Sequence, residues 1–151
     1  MTASIFLSSI ADAIANISIS GVTVKDRNEI AGSWQSIPNV LYPHPDGWIT
    51  GFTVQYDALL QGAAAPMTLS YTLNYRFLGV AVGDMSTFPV SYSALIDKLM
   101  LIVNAIIATP TPYSGRVEMR LGEISVGPRT DPAGNNYFGA DFALIISEMQ
   151  N

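Results

Sequence analysis

The chain has 151 residues, enough for one domain with a proper core, and carries 12 acidic against 7 basic residues for a formal net charge of −5. Hydrophobic residues make up 49% and charged residues 13%, about half the charge of an ordinary soluble domain. Clustered cations of the kind that grip phosphates are excluded, since the seven basic residues are scattered, with Arg116 and Arg120 paired and Lys25 and Arg27 flanking Asp26. What remains is a membrane protein or one whose surface other protein covers.

Length decides against the membrane. The most apolar run, "LMLIVNAIIA" at residues 99–108, is about half of what a spanning helix needs. The opening "MTASIFLSSIADAIANI" lacks a basic start and holds Asp12 among its apolar residues, so it reads as part of the mature protein rather than a signal peptide. The expectation is a soluble, unexported chain buried in partners. With no cysteine, disulfides and thiolate metal sites drop out.

In chain order, Phe6, Ile10, Ile14 and Ile17 recur at helical spacing and predict a first helix over residues 3–17, with Thr2 as its N-cap. Residues 19–34 mix a short strand with a polar loop. Val40 and Tyr42 fit another short strand, broken at Pro43 and Pro45 before an Asp46-Gly47 turn. Residues 48–60 read as the next strand, and "QGAAAP" as a hinge or hairpin connection.

The clearest signal follows. Met67, Leu69, Tyr71, Leu73, Tyr75 and Phe77 alternate with Thr68, Ser70, Thr72, Asn74 and Arg76, which predicts a strand with one dry and one polar face. At about 3.3 Å per residue it spans roughly 40 Å. A Gly-punctuated connection over 79–89 leads to a second helix over 90–108, N-capped by Ser91, with Leu95, Leu99, Ile102 and Ile106 at helical spacing. Apolar nearly all round, that helix is expected to be covered on more than one side. Two strands, 115–127 and 136–147, close the chain. Residues 1–151 thus form one α+β domain: an antiparallel-dominated sheet with two main helices packed on one face, in the order helix, strands, helix, two strands.

Chemistry finds little purchase. His44 is the only histidine and sits between two prolines, with no second histidine or cysteine for a metal site or a triad, so it reads as a structural or exposed loop residue. Asp46, Asp84 and Asp131 lie in Gly/Pro stretches where aspartate stabilises turns, and no phosphate-binding glycine motif occurs. Twelve acidic residues always offer a carboxylate pair, but nothing selects one. Arg116, Glu118 and Arg120 alternate with Val117, Met119 and Leu121, either as a solvated sheet face or as an interface strip. "PRTDPAGNNYFG" reads either as a plain hairpin loop or as a docking arm holding Arg129, Asp131 and Asn135, beside Tyr137 and Phe138, aromatics of the type that interfaces favour.

The leading helix, Pro38 and Val40 at the start of a strand, the long alternating strand, the apolar helix and the two last strands together resemble the lambda-type tail terminator (tail completion) proteins of long-tailed bacteriophages. The end of the chain carries the nearest local likeness: Arg129, then "TDPAGNNYFGAD", then "FALIIS" closing on Glu148 and Met149. The resemblance implies a subunit of a hexameric virion ring, located in the tail or neck and assembled in the bacterial cytoplasm. The ring would cap the tail tube protein, stop its polymerisation and face the head–tail connector. It implies no enzyme activity, no cofactor and no membrane, with genomic DNA sliding through an acidic channel. Residues 127–136 would reach a neighbouring subunit or ring. Two other readings stay open: another tail or neck protein, such as a tube subunit or head–tail adaptor, and a small ligand-binding α+β domain.

Overall fold

The computed structural model describes residues 10, 13–25, 38–56, 67–81, 88–108 and 117–150. It shows an α+β fold with a six-stranded, mostly antiparallel mixed sheet and two helices, one of them substantial. The first helix, α1, is described at residue 10 and at 13–15 and ends there, with a turn at Asn16, two residues short of the expected 17; Thr2, Phe6 and the other residues before 13 except Ile10 lie outside the described residues. Ile10 and Ile14 are both buried, as their spacing predicts.

The strands are β1 (Thr23–Val24), β2 (Val40–Pro43), β3 (Ile49–Tyr56), β4 (Met67–Ala81), β5 (Val117–Thr130) and β6 (Asn136–Gln150). β4 and β6 form the spine, pairing antiparallel from Met67↔Gln150 to Ala81↔Tyr137. β5 lies outside β6, from Val117↔Glu148 to Thr130↔Asn136. On the other side of β4, two strands share one edge: β2 takes Tyr75 to Leu78 and β3 takes Met67 to Leu73. β1 then adds parallel to β2.

The join between β2 and β3 explains "YPHPDGW". His44 N–H donates to the Asn74 carbonyl at 2.9 Å, and Asn74 N–H donates to the Trp48 carbonyl at 2.8 Å, so the intervening turn bulges out while its two flanks stay paired to β4. The Asn74 side chain holds it there, donating to the Gly47 carbonyl and to Thr50 Oγ1, each at 3.0 Å. Pro43 does not break the strand but ends it; with no N–H to contribute, proline suits a strand's last position before a turn.

α2 spans Phe88–Ala108. It starts before the expected 90, so Ser91 lies within the helix and does not cap it. Neither end carries a compensating charge, so packing of Leu95, Leu99, Ile102, Val103 and Ile106 into the core holds the helix against the sheet. The period-two face of β4 and the Phe138, Phe142, Leu144 and Ile146 face of β6 form the other wall. Tyr75 and Phe142 stack there with ring centroids 5.9 Å apart. The outer side of α2 is open, with Met100 and Leu101 about half exposed. Within the single chain these two side chains have no cover on that side among the described residues.

Close backbone approach fixes one residue type on the spine. A Cβ at Gly139 would run into the carbonyl oxygen of Phe77, so only glycine lets β6 lie this close to β4.

Candidate functional site

Among the described residues, the densest polar grouping lies on the sheet face away from α2. Alternation along β4 and β6 sends Arg76 and Asp141 to this face, and the register sets them opposite one another. Arg76 Nε donates to Asp141 Oδ1 at 2.7 Å and Nη2 to Oδ2 at 3.1 Å, a bidentate pair. From β5, Arg129 Nε comes within 3.2 Å of the same Oδ2, while its Nη2 donates to the Ser125 carbonyl and hydroxyl.

His44 completes the group from the β2–β3 turn. The backbone N–H of Asp46 donates to its Nδ1 at 3.1 Å, and its Nε2 lies 3.0 Å from Arg76 Nη2 and 3.3 Å from Asp141 Oδ2. The sequence supplies His44 with no partner; the fold supplies one from 97 residues away. Burial pushes the Asp141 carboxyl up, but the Arg76 hydrogen bonds and the charges of Arg76, Arg129 and His44 bring it net below the ordinary carboxylate range. A carboxylate whose oxygens already face cations is a poor general base. The grouping is a clamp across four segments of the sheet.

Tyr42 stands against Arg76, and burial pushes its hydroxyl up to about 12, against the opposing pull of Arg76. With Val40, Leu78 and Tyr137 it forms a small second core on this face. Beside it an open depression of about 490 Å³ is lined by His44, Asp46, Thr50, Asn74, Glu123 and Asp141. Among the described residues, no three histidine, aspartate or glutamate side chains converge as a metal site. No described helix is long and apolar enough to cross a membrane.

The expected interface residues do not come together as one surface. Arg116 lies outside the described residues. Arg120 is exposed on β5, whereas Arg129 is turned inward to Asp141. Tyr137 and Phe138 are buried, on opposite faces of β6, and serve the two cores; that corrects the expectation of surface aromatics.

The expected loop over 127–136 is also corrected. β5 continues to Thr130, so only five residues turn the chain. Pro128 sits within the strand opposite Phe138, which an edge strand tolerates. Asp131, 4% exposed, organises the turn: its Oδ1 accepts the N–H groups of Ala133 and Asn135, and Gly134 supplies the φ of 93°. Asn135 is exposed, with its backbone tied to Asp131.

A second polar feature escapes sequence reading. Glu148 is fully buried on the helix-side face of β6 and accepts a hydrogen bond from the Tyr71 hydroxyl. Desolvation, then that bond, raises the tyrosine far above its usual value. The parity of Phe142, Leu144 and Ile146 foretells that Glu148 points inward; only the β4–β6 register reveals its partner. Compared with protein-family models and with curated proteins, the chain matches none of them.

Proposed function

We propose that the chain is a structural virion subunit of the tail-completion kind, a single domain with two main helices on one face of its sheet, and that six copies form a ring on the tail tube. The ring ends tube growth and presents its far side to the head–tail connector, with DNA passing through and no catalysis. One observation carries this reading. A chain with 13% charged residues leaves Met100 and Leu101 on the outside of α2, and Phe52 and Val54 on β3, 43% to 51% exposed. Apolar side chains of that size on so weakly charged a surface call for protein cover. The element order and the low charge agree with it.

The test is to image and weigh the purified protein alone and with tail tubes. Six-fold particles seated on tube ends are expected. A chain that stays monomeric at every concentration, ignores tubes and carries a small molecule would favour the ligand-binding alternative and overturn the proposal.

A further inference from the structure

The geometry points to a two-fold contact in which β5 pairs antiparallel with β5 of a second copy, Met119 against Met119, and Glu118 of each copy opposite Arg120 of the other.

Among the described residues no strand pairs with the outer edge of β5, so its outward N–H and C=O groups form a template for another strand. Over Val117 to Leu121 the ladder to β6 is regular, and the irregularity begins only between Leu121 and Ile124. An added strand is therefore well matched along these five residues and interrupted beyond them. The side chains here divide cleanly. Glu118 and Arg120 are exposed on the polar face, while Val117, Met119 and Leu121 are partly buried on the helix-side face against the core.

Antiparallel pairing centred on Met119 makes both faces self-complementary at once. On the polar face each Glu118 meets an Arg120, twice by symmetry. On the other face Val117 meets Leu121, Met119 meets Met119, and the dry surface runs on from one copy to the next. Sliding the register by two residues sets Glu118 against Glu118 or Arg120 against Arg120. Opposite charges directly across a ladder stabilise it and like charges destabilise it, so charge selects the register that the apolar row also satisfies.

Edge charges commonly keep strands apart, but alternating signs repel a copy only in the wrong register. The contact is isologous and ends at two copies. It is thus separate from the head-to-tail joint of a ring, rests on its own observations, and is read in solution without tail tubes.

The experiment measures the dimerisation constant by sedimentation for the unaltered chain, Glu118→Arg, Arg120→Glu and the double variant, with melting curves to confirm folding. Both substitutions lie at exposed positions. Each single variant places like charges at both symmetric pairs, and its dimer is expected to weaken roughly tenfold or more. The double variant restores opposition with the signs exchanged and is expected to recover most of that loss. Raising salt from about 0.05 to 1 M should weaken the unaltered dimer and strengthen the single variants. A chain monomeric at high concentration, in which the charges act as a guard, overturns the inference. So does a double variant as weak as the singles, or a dimer indifferent to all three.

Discussion

Arg76 and Asp141 face each other across the two central strands, with the guanidinium grasping both carboxylate oxygens at 2.7 and 3.1 Å. The pair is formed by register alone, 65 residues apart in sequence. It turns the polar side of the sheet into a fastening that also holds β5 through Arg129 and the β2–β3 turn through His44.

Replacing Asp141 with Asn should therefore cost about 1–3 kcal/mol in denaturant unfolding, because two arginines lose their counter-charge in a partly buried site. The sign of the pH effect follows from the lowered carboxyl. Its stabilisation is present above the ordinary carboxylate range and is lost as pH falls through the lower folded value. The unaltered protein should lose stability in acid more steeply than Asp141→Asn, and equal slopes would contradict the clamp.

At the alkaline end the sign reverses in position. Desolvation raises Tyr42 and Tyr75 to about 12, against about 10 in an unfolded chain. Their contribution is whole below about pH 10 and disappears as pH rises toward 12. Tyrosinate absorbance should show that part of the phenol signal appears only together with loss of near-ultraviolet circular dichroism. Full ionisation by pH 11 with native structure intact would refute it.

The Tyr71–Glu148 bond can be cut without disturbing its surroundings. Tyr71→Phe keeps the ring that stacks on Phe52 at 6.0 Å and removes only the hydroxyl. A loss of about 1–3 kcal/mol is expected, since the carboxyl it serves is fully buried. Unchanged stability would show that the bond contributes nothing net.

The β5–β6 turn separates two roles that a single loop would confound. Asp131→Ala should destabilise by about 1 kcal/mol or more, because two turn N–H groups lose their acceptor. Replacing residues 131–135 with Asn-Gly should leave the domain folded, since such a turn closes a hairpin by itself. If the shortened chain also assembles normally, the turn is a connector only.

Gly139→Ala should cost about 2–3 kcal/mol, as the added methyl meets the Phe77 carbonyl. A neutral result would mean that the central strands can spread.

Much of this was legible in the residues. The alternation from Met67 to Phe77 places one face of β4 correctly, and Leu95, Leu99, Ile102 and Ile106 mark the buried side of α2. Where sequence reading falls short, partners lie far away. Periodicity says which face Asp141 or Glu148 occupies but not what stands across the ladder, because register is set by the assembled sheet. The same limit explains Tyr137 and Phe138: adjacent aromatics after a turn look like a surface anchor until each is seen to enter a different core. β5 runs through Pro128, past the expected end at residue 127, because proline's cost depends on whether the strand is central or at an edge, which local sequence does not encode.

The edge of β4 shared by β2 and β3 has a consequence for growth. β5 offers a single 14-residue strand on one flank, regular from Val117 to Leu121, whereas the opposite flank is split by the His44–Trp48 turn into two short stretches, one already overlaid by β1. A straight incoming strand can lie along the first but must stop at the gap in the second. Strand addition to this sheet is therefore one-way: copies can be received on a single side, and the sheet cannot be the repeating unit of an endless ribbon.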